Sequence, residues 1–363
     1  MSPASQRAWF DLVTGRRTGL GAACSRAALS AASALYGGAL AIRSAAFALG
    51  LKSRHRLSGP VIGVGNITLG GTGKTPMVEM LTRRLESKGL KVAVVSRGYG
   101  LEVGGVDDER FGAGKRYTGR DRLALASQAF ADGCDAAVLD DGFHDLRLHR
   151  DFNIAMVDAS APFGNGRLFP RGCLRESPHG LKRADVIVVS RADMLDAGEL
   201  ALLRAHLGSV SGGRPTAAAV HRPRAPRTLG GSSAAESLHG KRILGFCGLG
   251  NPRGFEATLR GQKARLNAFR AFPDHHRYSE VELDGLEAEG RELEVDALVT
   301  TEKDAARLSE RDWTVPVWVL GVDLEVVSGA EELEAGLARV EDRFRSRAST
   351  RASGAGPDSV TAG

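Results

Sequence analysis

The chain has 363 residues, 25% of them charged and 42% hydrophobic, enough for two domains of ordinary size and a sizeable core. The net charge of +6 does not mark a nucleic-acid binder, because residues 1–58 carry eight Lys and Arg side chains against Asp11 alone and the remainder is close to neutral. A basic arm beside an apolar stretch points instead to a membrane surface. Cys24, Cys134, Cys173 and Cys247 are scattered without metal spacing or a disulfide framework, which fits a reduced, cytosolic setting.

In chain order, Arg26 and Arg43 bracket 16 uncharged residues rich in alanine and serine. As a helix these would span about 24 Å, short of the roughly 30 Å hydrocarbon core of a bilayer. The expectation is an N-terminal helix that dips into, or lies on, a cytoplasmic leaflet; a helix packed on the domain's own surface is the alternative. No convincing cleavage site closes the stretch, which argues against a secretory signal.

Residues 60–100 predict strand, glycine loop, helix, strand. "PVIGVGN" is an apolar run, and Met77, Met80, Leu81 and Leu85 recur at helical spacing until Gly89. "KVAVVSRGYG" then begins a second buried strand. Between the first strand and the helix lies "VGNITLGGTGKTP", Val64 to Pro76. It resembles a phosphate loop, G-x-x-x-x-G-K-[ST], with Thr68 in place of the first glycine. Gly70, Gly71 and Gly73 permit backbone N–H groups to converge on phosphate oxygens, with Thr72 among them. Lys74 can reach the β- and γ-phosphates, Thr75 can ligate Mg²⁺, and Pro76 is tolerated in the first helical turn.

"DAAVLDD", "FNIAMVD" and "ADVIVVSR" read as further parallel strands that deliver polar side chains to one sheet edge, with "RLALASQAFADG" as a helix between them. Asp140 and Asp141 end one strand, where an acidic group can hold Mg²⁺ opposite the loop threonine. "FGNGRLFPRGCLRE", Phe163 to Glu176, reads as a fixed loop whose Arg171, Arg175 and Glu176 suit a phosphate or a sugar, and equally as a loop without a ligand. Residues 211–240, rich in Gly, Pro, Ser and Arg, read as a linker. Beyond it "KRILGFCGLGNP" opens another strand-loop-helix unit, and "DALVTTEKDAARL" and "VPVWVLGVDLEV" are strand signals. "FPDHHRY" places Asp274, His275 and His276 together, a grouping that serves proton transfer, metal binding or structure. The tail from Ser346 is low in complexity and reads as disordered.

Together these motifs resemble the tetraacyldisaccharide 4'-kinase family, the lipid A 4'-kinases of Gram-negative bacteria. The likeness covers roughly residues 30–325 and comprises Val64–Pro76, Val95–Gly100, Asp140–Phe143, Arg150–Asp151, Phe163–Gly166, Leu174–Glu176, "FPDHH" and Thr300–Asp304, in one order. It implies an α/β fold: a P-loop NTPase-like, doubly wound, mostly parallel sheet, with a smaller C-terminal α/β lobe and an N-terminal membrane-associated helix. The expected divisions are an arm at 1–58, a kinase core at 59–210, the linker, a lobe at 241–345 and the tail.

The implied reaction is ATP-dependent phosphorylation of the 4'-hydroxyl of a tetraacylated glucosamine disaccharide 1-phosphate. The lipid acceptor places the enzyme, read as a monomer, at the cytoplasmic face of the inner membrane, with ATP and Mg²⁺ as cofactors and no nucleic acid. Thr75 and Asp140 are the expected metal ligands, and Asn165, Arg171, Arg175 and Glu176 the expected acceptor contacts. Two departures stand out. Where the family has Gly-Asp-Glu-Pro, with a general-base aspartate paired with the Asp-His motif's histidine, this chain has Gly119-Arg120-Asp121-Arg122. After "DDGF" the family's Gln-His is replaced by His144-Asp145. Asp121, Asp141 and His275 are therefore the expected catalytic groups. A P-loop GTPase or ATPase switch is the rival, since "VVSRADML" places Asp193 where a guanine-reading motif ends; a family member without catalysis is the third reading.

Overall fold

The computed structural model describes residues 3–97, 106–107, 114–230, 237–273, 276–309 and 311–353. Two helices come first, α1 (Pro3–Val13) and α2 (Leu20–Ala48). The first α/β unit is β1 (Val61–Asn66), α3 (Lys74–Glu86), β2 (Val92–Ser96), β3 (Val106–Asp107), β4 (Lys115–Thr118), α4 (Arg122–Ala131), β5 (Ala136–Asp140), β6 (Phe152–Asp158), β7 (Val186–Ser190), α5 (Ala197–Ser211) and β8 (Thr216–Pro223). The second is β9 (Arg227–Thr228), β10 (Arg242–Cys247), α6 (Pro252–Gly261), β11 (Arg265–Ala271), α7 (Glu280–Glu292), β12 (Ala297–Thr301), α8 (Glu302–Ala305) and β13 (Val317–Leu320). The chain closes with β14 (Val322–Ser328) and α9 (Ala330–Ser353).

The larger sheet has nine strands in the order β14-β8-β7-β6-β1-β5-β2-β4-β3, and the smaller has five in the order β11-β10-β12-β13-β9. Pairing is parallel throughout both, except at the edge strands β14, β3 and β9. This is the expected doubly wound sheet with a smaller C-terminal α/β lobe. Every residue of β1 is buried, as helices on both faces require. One face is covered by Met77, Leu81 and Leu85 of α3 with Leu333, Leu337 and Val340 of α9. The opposite face packs α4 near β2 and β5, and Leu207 of α5 near β6 and β7.

Three boundaries differ from the sequence reading. Residues 211–240 are not a plain linker, because β8 lies inside the large sheet between β7 and β14. Its small apolar residues, Ala217 to Val220, are buried, and flanking glycines and prolines obscure that run in the sequence. β14 and α9 return to the first unit, so the second lobe ends near Leu320. Residues 346–353, expected to be disordered, continue α9.

α2 is 29 residues long, and no described helix is long and apolar enough to cross a membrane. One side of α2 docks on the Phe163–Glu176 loop: Ser33 Oγ donates to Leu168 O at 2.9 Å, and Tyr36 Oη to Arg175 O at 3.0 Å. Leu20, Leu35 and Ile42 remain exposed on it, followed by Leu49 and Leu51. The arm thus both packs on the domain and presents an apolar face outward.

Candidate active site

The loop after β1 sits at the carboxyl edge of the large sheet, where strand order reverses and open α/β sheets bind ligands. It is fixed from behind by Leu69 N donating to Cys173 O at 2.7 Å and Arg175 N donating to Ile67 O at 2.8 Å. Gly73 has φ +81°, and a Cβ there would come within 3.0 Å of His221 Nε2, so the turn into α3 requires glycine. Gly73 caps α3 without a side-chain bond, leaving the helix's first N–H groups available to an anion. Thr68 and Thr72 are buried, and Thr72 Oγ1 has no partner among the described residues. Ser190 Oγ donates to Thr72 O at 2.9 Å, and Arg191 holds Gly71 O at 3.1 Å and pairs with Asp158. Asn251 of the second lobe donates to Asp158 Oδ2 at 3.3 Å, which ties the loop to that lobe.

Lys74 Nζ donates to Asn66 Oδ1 at 3.2 Å and lies 3.8 Å from Asp141 Oδ1. Burial lowers the Lys74 pKa from its ordinary value, against the pull of Asp141 and Asp140. Thr75 Oγ1 lies 3.4 Å from Asp140 Oδ2, at the end of β5. Asp141 follows with φ 60°, in the left-handed region, and Arg175 Nη1 donates to its Oδ1 at 2.8 Å. Burial pushes the Asp141 carboxyl up, but Lys74 and Arg175 together hold it below the usual carboxylate range. Gly142 N donates to Val64 O at 2.9 Å, and this turn lies so close to β1 that a Cβ on Gly65 would fall 2.4 Å from that of Phe143.

A cavity of about 270 Å³ opens beside these groups, lined by Arg43, Arg97, Arg120, Arg122, Arg147 and Arg175 with Asp141, His144 and Asp145. Arg122 is buried, 4.0 Å from Asp141 Oδ2. An anionic group suits such a surface.

Several expected residues sit elsewhere. Asp121 has the extended backbone of a loop, yet its carboxylate caps α4 by accepting from Leu123 N at 3.1 Å and lies 3.5 Å from Arg147. It is exposed and does not line the cavity, because a cap must turn back on its own helix. Asn165 donates to Val13 O and Arg171 O, each at 3.2 Å, and Arg171 Nη1 donates to Val13 O at 2.8 Å. Both fasten the N-terminal arm to the loop instead of facing the cavity. Glu176 is buried, accepts twice from Arg183 Nη2 at 2.6 and 2.7 Å, and lies 3.2 Å from His144 Nδ1. It therefore meets protein groups, not open space. His275 lies outside the described residues; its neighbour His276 stacks on Phe272 and bonds Glu282 at 3.0 Å.

Asn66, Arg122, His144, Asp158, Arg191 and Asn251 were not singled out as site residues from the sequence. Asn66, Asp158 and Arg191 end predicted strands, and that position was the available signal.

A family profile described as Tetraacyldisaccharide-1-P 4'-kinase (LpxK) matches residues 25–341. A protein of Anaeromyxobacter sp. (strain Fw109-5) named tetraacyldisaccharide 4'-kinase is 38% identical over 94% of this chain and 98% of its own length. One of the same name from Geobacter metallireducens is 37% identical over 78% of this chain and 88% of its own. The crystal structure of the "apo" form of LpxK from Aquifex aeolicus in complex with ATP is similar in fold, with a TM-score of 0.66 and 24% identity, over 87% of this chain and 99% of that one. The chain belongs to the tetraacyldisaccharide-1-phosphate 4'-kinase family.

Proposed function

We propose that this chain transfers the γ-phosphoryl group of ATP to the 4'-hydroxyl of a tetraacylated glucosamine disaccharide 1-phosphate, working as a monomer at the cytoplasmic face of the inner membrane. The observation that carries the reading is Lys74, Thr75, Asp140 and Asp141 gathered at one sheet edge, with Thr75 Oγ1 and Asp140 Oδ2 3.4 Å apart. Phosphoryl transfer needs positioning and charge neutralisation more than covalent help, and this is the equipment present.

The triphosphate lies along Gly70–Thr75, with backbone N–H groups and Lys74 on its β- and γ-oxygens. The Thr75 hydroxyl and Asp140 carboxylate are hard oxygen donors of the kind that suit Mg²⁺, which needs only one or two protein ligands beside phosphate and water. When bound there, Mg²⁺ would neutralise charge on the phosphate oxygens. Asp141 fixes Lys74 and Arg175 relative to each other. The arginine-lined cavity takes the anionic head of the acceptor. Asn165 and Arg171 are positioning residues for the arm. α2, with Leu35 and Ile42 outward and Arg16, Arg17, Arg26 and Arg43 nearby, rests on the anionic leaflet that holds the acceptor.

The test is transfer from γ-labelled ATP to detergent-dispersed disaccharide 1-phosphate, with unlabelled ATP or GTP as competitor. The kinase reading expects labelled lipid and displacement by ATP. Label released only as phosphate, with GTP the stronger competitor, would favour the switch reading.

A further inference from the structure

Gly70, Gly71 and Gly73 are three of the four residues at the turn of the phosphate loop, and glycine loses more conformational freedom on folding than any other residue. A loop that binds phosphate through its N–H groups must turn its carbonyl oxygens the other way, because an inward carbonyl dipole repels the anion. Glycines do not enforce that orientation, so groups outside the loop must hold it.

Two consecutive residues supply the hold. Ser190 ends β7, is buried, and donates through Oγ to Thr72 O at 2.9 Å. Arg191 follows, and its Nη1 and Nη2 donate to Gly71 O at 3.2 and 3.1 Å. Two adjacent carbonyls of the loop are thereby engaged from the β7 side. Arg191 has φ 54°, a left-handed conformation uncommon for a residue with a side chain. Its guanidinium also pairs with Asp158 at the end of β6, and both side chains are largely buried. Asp158 is held in turn: Oδ1 accepts from Ser160 N at 3.0 Å and Ser160 Oγ at 2.7 Å, and Oδ2 accepts from Asn251 Nδ2 at 3.3 Å. α6 closes over the guanidinium, since a Cβ on Gly254 would fall 3.0 Å from Arg191 Nε. Arginine suits this place because its planar fork donates to a carbonyl and a carboxylate at once.

Resting on the reading that Gly70–Thr75 holds the triphosphate, we propose that Arg191 is a positioning residue for phosphoryl transfer. It holds the Gly71 carbonyl on the β7 side, with Asp158 fixing its guanidinium, so that the loop's N–H groups are set before ATP arrives. A loop ordered in advance loses less entropy when ATP binds, and it keeps the γ-phosphate aligned for attack.

The test uses the full chain. Labelled-phosphate transfer to the lipid gives kcat and KM, titration with a fluorescent ATP analogue in the absence of lipid gives Kd, and thermal denaturation reports the fold. Arg191→Met alone leaves the buried Asp158 without its cation and can unfold the protein. Arg191→Met combined with Asp158→Asn removes both charges and keeps the volumes. The double variant should remain folded and lose about 10- to 100-fold in kcat/KM for ATP, the equivalent of one hydrogen bond from a charged donor. Kd for the analogue should rise by about threefold or more, while KM for the lipid moves by less than about threefold. Arg191→Lys should recover only part of the loss, because one ammonium does not reproduce the fork. A folded double variant with kcat/KM for ATP and Kd for the analogue unchanged would overturn the assignment. So would full activity in Arg191→Lys, or equal losses toward ATP and lipid. If the unaltered chain binds the analogue but phosphorylates no lipid, the kinase reading fails and the shift in Kd still decides the role of Arg191. If it binds no nucleotide, both fall.

Discussion

Replacing Lys74 with methionine separates catalysis from stability. The ammonium is buried, 3.2 Å from Asn66 Oδ1 and 3.8 Å from Asp141 Oδ1, and its desolvation lowers its pKa. A lysine lowered on folding binds fewer protons in the native state than in the unfolded one, so its charge weakens the fold. Methionine removes that cost and fills most of the same space. Asp141 loses one cation but keeps Arg175 at 2.8 Å, so the two effects oppose each other and the net stability change should stay within about 1 kcal/mol. Transfer behaves otherwise, because no other lysine or arginine lies in the Gly70–Thr75 loop to neutralise the β/γ oxygens. Loss of one such group costs about 10²–10³ in rate, or roughly 2.7–4 kcal/mol of transition-state stabilisation. The assay pairs labelled-phosphate transfer with thermal denaturation of the same preparation. A Lys74→Met enzyme with kcat near that of the unaltered chain would refute the phosphate-loop assignment.

Three further outcomes follow from other parts of the molecule. Leu35→Glu with Ile42→Glu should reduce partition onto anionic vesicles by about tenfold or more, since each exposed side chain offers about 1.5–3 kcal/mol of apolar burial; flotation unchanged by the pair would remove α2 from the membrane contact. His221, buried beside Gly73, has its pKa pushed down to about 4, first by burial and then by Arg191. The unfolded chain therefore binds the extra proton between pH 6.5 and 4, and stability falls as pH drops through that window. Denaturant unfolding at pH 7 and pH 5 should differ by about 2 kcal/mol less in His221→Phe than in the unaltered chain, and equal pH dependence in the two would contradict this. Arg343→Met takes one cation from Asp151, which keeps Val61 N at 2.8 Å and Arg56 at 3.5 Å, and should cost about 1–3 kcal/mol, read as a lower denaturant midpoint; a midpoint unchanged from that of the unaltered chain would show that α9 is held by apolar packing alone.

The phosphate loop was legible because Gly73-Lys74-Thr75 stands between an apolar run and a helical period, whatever occupies position 68. Asp140 and Asp141 were legible for the same reason, as carboxylates ending a buried strand. Their partner Arg175 was legible as a residue type but not as a neighbour. It arrives through pairing of Ile67–Leu69 with Cys173–Arg175, a contact with no local signature. Asp121 misled because a loop aspartate before a helix is equally a cap, and the cap bond to Leu123 N decides its direction. The Glu176–His144 pair joins positions 32 residues apart across two loops, and spacing alone does not reveal it. β8 escaped because alanines between glycine and proline stretches lack the branched side chains that mark strands.

The central claim is tested most directly by mass spectrometry of the lipid recovered after the full chain acts on MgATP and disaccharide 1-phosphate in mixed micelles. The account predicts one added phosphate, located on the non-reducing glucosamine at the 4' oxygen, with ADP formed in equal amount. An unmodified lipid from folded, ATP-binding protein, or a phosphate placed on any other oxygen, would contradict it.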